Sequence, residues 1–342
     1  MGLRIEFYSE RGFFYSGDLV RGSVVMNFDQ PEKVSELHLK IKGKKVCQWG
    51  QNDYGKEVVF RHISNLLAGQ STPDDPMEFT EGEHKIAFQV PIPPKAGSSF
   101  KSNVGSVKYK AKVTMKRPGA WKFDQTYQSY FDISEYCDLN LIPHLEKPSE
   151  TWGCTELFGL FLKVGTLNVK VNLPQTGYVP GQTVPLKCHI NNNSPVTVYN
   201  VKFSLGQVVT YRTTQSLDGK KRRYENKLVV KDKFAGIKTE GVAKGTEKYF
   251  DLQIPIPDNF PVSTGSQAPT VIEMRHFIKV KVYLSGIHQN FKMSVPIHIG
   301  TVPLRPPREY SLQRSMDNRK YLDATNYYAY RESDSKRDWN LN

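Results

Sequence analysis

Apolar and polar residues alternate with a period of two along most of the chain. Over residues 37–42, Leu37, Leu39 and Ile41 fall on one side while His38, Lys40 and Lys42 fall on the other, the signature of a half-buried strand. Ile86, Phe88, Val90 and Ile92 repeat it, as do Val107, Tyr109, Ala111, Val113 and Met115 against Lys108, Lys110, Lys112 and Lys116 on the opposite, wet face. The second half does the same in residues 167–171 and 278–284. Clusters of Gly, Pro, Asn and Asp, such as residues 72–75 and 191–195, separate the runs and supply turn chemistry. No long stretch carries the helical period; a short helix is expected only over residues 63–68.

The chain also repeats itself. Glu83 to Pro93 reads EHKIAFQVPIP and Glu247 to Pro257 reads EKYFDLQIPIP, at an offset of 164 residues. Upstream, Tyr15 to Asp18 is answered by Tyr178 to Gln182; downstream, the Tyr109–Val113 run is answered by Phe277–Val282. Matching pieces in one order imply two homologous β-domains in tandem. Proline cannot donate to a strand ladder, so Pro91, Pro93, Pro255 and Pro257 are expected to end strands or sit on sheet edges. The alternation lapses over residues 138–165 and stops after Leu304. The expected division is therefore 1–145, 146–304 and a flexible polar tail, 305–342. Many short strands with frequent turns make the fold class all-β: two antiparallel β-sandwiches. Immunoglobulin domains fit poorly, since Trp49 follows Cys47 by only two residues.

Composition narrows the function. Aromatic residues at 12% argue against disorder, and no apolar run approaches the ~18–20 residues of a membrane-spanning helix. The N-terminal residues lack a secretory apolar stretch, and Glu6 stands where a myristoylation motif wants Ser or Thr. Cys47, Cys137, Cys154 and Cys188 have neither CxxC nor short spacing, so reduced, mostly buried thiols are expected, with no metal site. Catalytic signatures are missing: GxSxG, a P-loop, GxGxxG and HExxH do not occur, and the histidines are scattered singly, so no enzyme activity and no cofactor is expected. Lys and Arg outnumber Asp and Glu 47 to 34, a formal charge of +13 that favours acidic partners. Without a recognised nucleic-acid module, phosphorylated tails and anionic lipids are the expected classes.

These residues resemble a known family, the alpha-arrestins or arrestin-domain-containing proteins, over about residues 3–304. The resemblance rests on Tyr15 to Gly22, the EGEHKIAFQVPIP strand, LNLIPHL at 139–145, Gly177 to Gly181, INNNS at 190–194 and Ile299 to Leu304. It implies an arrestin fold and a non-enzymatic, cytoplasmic adaptor recruited to plasma membrane or endosomes. Such an adaptor binds membrane receptors or transporters and couples them to endocytosis and ubiquitination. It further implies PPxY motifs that recruit WW-domain HECT ubiquitin ligases. Here the nearest segment, with Pro306, Pro307 and Tyr310, carries one residue too many, which displaces the tyrosine by about 3.1 Å along a polyproline helix and disfavours direct WW binding. A stable subunit of a retromer-like sorting complex and a signalling scaffold without membrane cargo are the alternative readings.

Two candidate sites follow from the charges. Lys108, Lys110, Lys112 and Lys116, with Lys40 and Lys42 on another strand, form a candidate basic face for phosphorylated tails or acidic lipids. Lys220, Lys221, Arg222 and Arg223 follow Asp218 and Gly219, a turn dipeptide, and form a candidate basic loop. Tyr321, Tyr327, Tyr328 and Tyr330 are candidate phosphorylation sites.

Overall fold

A computed structural model describes residues 2–51, 53–119, 123–159, 162–213, 215–217, 221–223, 227–265 and 270–305. The first half contains β1 (Gly2–Phe7), β2 (Phe14–Tyr15), β3 (Leu19–Phe28), β4 (Glu32–Val34), β5 (Glu36–Trp49), β6 (Asp53–Asn65), β7 (Met77–Phe79), β8 (Gly82–Pro91), β9 (Phe100–Lys101), β10 (Gly105–Lys116), β11 (Gln125–Phe131) and β12 (Ile133–Ser134). A single 3-10 turn, Leu139–Leu141, follows. The second half contains β13 (Ser149–Phe158), β14 (Lys163–Leu173), β15 (Gly177–Tyr178), β16 (Thr183–Asn193), β17 (Val198–Arg212), β18 (Gln215–Leu217), β19 (Lys221–Arg223), β20 (Lys227–Val242), β21 (Thr246–Pro255), β22 (Ile272–Leu284) and β23 (Phe291–Ile299). The architecture is all-β, two tandem sandwiches. No described helix is long and apolar enough to cross a membrane.

Each half stacks a smaller sheet on a larger one. In the first half β1-β3-β8 covers β11-β10-β5-β6; in the second β13-β14-β16-β21 covers a sheet containing β23-β22-β17-β20. The facing apolar positions fill two cores, one around Leu39, Ile41, Tyr109 and Val113, the other around Val169, Leu186, Phe203 and Val280. The duplication extends to single hydrogen bonds. Gly17 donates to the Ile92 carbonyl at 3.2 Å and Gly181 to Ile256 at 3.1 Å; Ile92 returns a bond to Asp18 and Ile256 one to Gln182, each at 2.8 Å. All these pairs are 164 residues apart. Gly17 and Gly181 hold φ of 90° and 82°, a left-handed turn that a side chain would strain. Pro91 and Pro255 close β8 and β21, the outer strands of their sheets, as expected of residues without an N–H.

Two expectations need correction. Residues 63–65 finish β6 instead of opening a helix, and the chain then turns around Asn65, whose Oδ1 accepts from the Leu37 and Leu67 amides. Pairing with β5 overrides the local apolar run. The lapse over 138–165 conceals an entire strand, β13, because four of its inward positions, Ser149, Thr151, Gly153 and Thr155, are not apolar and only Leu157 at its end is. Gly153 leaves room there, since a Cβ would meet the Phe291 ring at 2.7 Å and force it to shift. The thiols are free and mostly buried, as expected: Cys47, Cys137 and Cys188 are buried and Cys154 is exposed.

The halves share a core. Val209 and Tyr211 at the end of β17, with Val271 just before β22 and Ile272 and Met274 at its start, pack into the first half's cluster. Lys45 Nζ donates to Thr270 Oγ1 at 2.9 Å, and Glu57 Oε2 accepts from Thr270 Oγ1 at 2.9 Å and from the Val271 amide at 3.1 Å. Tyr211, 1% exposed, bonds Ser102 Oγ through its hydroxyl at 2.9 Å. Tyr211→Ala should therefore cost about 3 kcal/mol and split urea unfolding, followed by tryptophan fluorescence, into two transitions. A single, merely shifted transition would show that the coupling lies elsewhere.

Candidate functional site, a lysine grid on an open sheet

The candidate basic face occupies the wet side of β5 and β10. Leu37, Leu39, Ile41, Ala111, Val113 and Met115 are wholly buried, so the intervening residues must face water. Antiparallel register then sets Lys40 against Lys112, Lys42 against Lys110 and Lys44 against Lys108. Two rows of three lysines result, spaced ~4.8 Å across the strands and ~6.8 Å along them. Arg61 on β6 faces Lys42, and Lys56 faces Val46 one row beyond the grid.

This crowding is electrostatically costly, since like charges directly opposite one another repel. The Lys42 ammonium is held below its ordinary pKa by burial first, and then by Lys44, Lys56, Lys40 and Arg61. Among the described residues no carboxylate lies within ion-pair distance of Lys40, Lys42, Lys44, Lys108 or Lys112. Lys110 donates to Gln128 Oε1 at 3.0 Å and stands 6.0 Å from the Tyr130 ring.

The structure separates Lys116 from this group. Its ammonium is bound at 2.6 Å to Glu36, which also holds His38 at 3.2 Å, so the end of the sheet is neutralised. Sequence reading missed Lys44, although it continues the two-residue period of Lys40 and Lys42, and missed Arg61, which only the pairing with β6 reveals. It also missed a second basic row. Lys238, Lys202, Lys281 and Lys292 stand in register across β20, β17, β22 and β23. Lys279 and Lys281, alternating with Ile278, Val280 and Val282, were the available signal.

At one end of the grid a pocket of about 440 Å³ opens, lined by Phe100, Lys101, Val107, Lys108, Tyr130 and Asp132, among others. The basic loop forms a small hairpin in which Lys221, Arg222 and Arg223 of β19 pair with β18, inserted between β17 and β20. Lys220, Pro306, Pro307, Tyr310 and the tail tyrosines lie outside the described residues. Among the described residues, no three His, Cys, Asp or Glu side chains gather to hold a metal ion.

The two sandwiches match the arrestin family in order. The N-terminal domain of arrestin (or S-antigen) matches residues 3–140, and its C-terminal domain matches residues 163–304. The chain belongs to the alpha-arrestin, or arrestin-domain-containing, family. It is similar to human arrestin domain-containing protein 4, at 22% identity over 88% of this chain and 71% of that one. It is similar to Caenorhabditis elegans arrestin domain-containing protein 17, at 21% over 87% and 70%, and to bovine arrestin domain-containing protein 5, at 20% over 85% and 88%. Arrestin-family proteins are in general non-enzymatic adaptors that bind receptor cargo.

The grid of this arrestin-domain protein should carry a stability cost. Lys110→Glu, which places a carboxylate opposite Lys42, should raise unfolding free energy by roughly 0.2–1 kcal/mol at low salt, and the gain should fade as salt is added. A loss of stability in urea titration would mean that the lysines do not strain the sheet.

Proposed function

We propose that this protein is a cytosolic trafficking adaptor that docks acidic, phosphorylated cytosolic tails of membrane receptors or transporters on the β5/β10 face and passes them to endocytic and sorting machinery. The observation that carries the reading is the uncompensated lysine grid. Its spacing favours a peptide over a lipid surface: an extended chain presents alternate side chains every ~6.8 Å, the interval between Lys40, Lys42 and Lys44. Phosphate groups at alternate residues would each meet two ammonium groups, one from each strand, in charge-assisted hydrogen bonds. Recruitment to plasma membrane or endosomes follows from the cargo, and acidic headgroups add a secondary contact.

The same reading divides the chain into a cargo-binding pair of sandwiches, residues 1–145 and 146–304, and a tail, 305–342, whose Pro306, Pro307 and Tyr310 offer an imperfect link to WW-domain ubiquitin ligases. Family membership supports the adaptor role. The choice of cargo tails as ligand rests on the charge pattern.

Fluorescence anisotropy with a peptide phosphorylated at three alternate serines tests the docking face. Reversing Lys108, Lys110 and Lys112 to Glu should weaken binding at least tenfold, and the unphosphorylated peptide should bind weakly to both proteins. Unchanged affinity in the reversed variant would remove the grid as the docking site. Sedimentation with phosphatidylserine vesicles, unaffected by phosphopeptide competition, would shift the reading to lipid. Crosslinked purification of the full chain and of residues 1–304 from cells separates the tail's role. Cargo should be recovered by both and ligases, if any, by the full chain alone; loss of cargo on truncation would place cargo binding in the tail.

A further inference from the structure

The partner strand along one edge of β10 changes midway. β9 pairs Ser106 and Val107, whereas β11 pairs Tyr109 through Met115, so Lys108 has a ladder partner only on the β5 side. The interruption has a covalent origin. After Phe131 the chain leaves the sheet: the Asp132 carbonyl accepts from Phe14 at 3.0 Å, and Ile133 and Ser134 pair in parallel with β2. Ser99 binds the same departing strand, donating its amide to the Ile133 carbonyl at 2.7 Å and accepting the Ile133 amide on its hydroxyl at 3.1 Å. β9 and β11 are thereby held apart, and the pocket of about 440 Å³ lies between them.

Its chemistry differs from the grid beside it. Val107, Tyr109 and Phe131, each under 10% exposed, form an apolar floor, and Phe100 packs against the same core. The Tyr109 hydroxyl is turned away to the Gly97 carbonyl. At the rim stand Lys101, Lys108, Asp132 and the ring of Tyr130, which is 60% exposed. Lys108 belongs to both surfaces, so the pocket and the lysine rows are continuous.

We infer that this pocket is the specificity element of the docking face: it receives one bulky apolar side chain, of the phenylalanine class, carried at one end of an acidic, phosphorylated peptide. The inference rests on the proposed docking of such peptides and names the residue that would distinguish one from another. Charge complementarity draws any polyanion to the grid; an apolar hole at its end accepts only a chain with a matching side chain next to its acidic run. A phosphate cannot enter that floor without losing its water, and a free lipid headgroup brings no such anchor.

Four peptides test it, each phosphorylated at three alternate serines and carrying Phe or Ala immediately before or after the acidic run. On the wild-type protein one of the Phe peptides should bind about tenfold or more tighter than its Ala partner, the factor supplied by burying a phenyl ring. Tyr130→Ala, at an exposed position, should cut that preference to under about threefold, the preference being read against the Ala peptides on the same variant. Lys42→Glu with Lys110→Glu should weaken all four alike. If Phe and Ala peptides bind the wild type equally and the grid variant loses both, docking on the grid stands and the anchor pocket is wrong. A preference that persists in Tyr130→Ala places the anchor elsewhere and also overturns the inference. If no peptide binds the wild type, the docking reading fails and takes the pocket's role with it.

Discussion

The buried side of β5 and β10 fixes everything on their exposed side. A strand's side chains alternate between faces, so slipping the pairing by one residue would drive Leu37, Leu39, Ile41 and their partners Ala111, Val113 and Met115 into water. At about 1.5–3 kcal/mol for each large side chain, no gain from separating the lysines competes. The core thus holds six ammonium groups in a register that electrostatics alone would reject. On the proposed docking reading, a surface maintained against its own repulsion favours an anion, because binding would remove a penalty already present in the free protein.

Duplication supplies the frame in which that surface sits. Turns around Gly17 and Gly181 repeat bond for bond, and β8 and β21 end on equivalent prolines at equivalent sheet edges. The chemistry on the two frames has diverged. The first half presents three successive lysine pairs on two strands; the second presents one line of four across its sheet. These lysines occupy outward positions, which cost the fold little to change.

Much of this was legible in the residues. Alternation over Leu37–Lys42 and Val107–Met115 located the strands and the lysines' face, and the repeated PIP endings located the duplication. What stayed hidden depends on which strands meet. Lys40 and Lys112 are 72 positions apart, and nothing local announces that they stand opposite each other. β13 escaped because most of its inward positions hold Ser, Thr or Gly, with Gly153 leaving room for the Phe291 ring. Residues 63–68 looked helical by local content, but a long-range ladder with β5 and the Asn65 side chain decided their path. The pocket beside Lys108 was invisible for a related reason: it arises from the departure of β11 toward β2, a property of topology that no residue pattern encodes.

Val209 and Tyr211 belong to a strand of one sandwich and to the core of the other, so the two lysine surfaces stand on sandwiches joined through a common core. On the proposed docking reading, a polyanion that engages both surfaces must be long enough to span the distance this joint sets between them. One long enough gains the second contact as an intramolecular event, at high effective concentration, whereas one too short gains nothing from the additional charge. On that reading the shared core acts as a ruler, favouring bound chains whose negative charges are spaced to reach both surfaces.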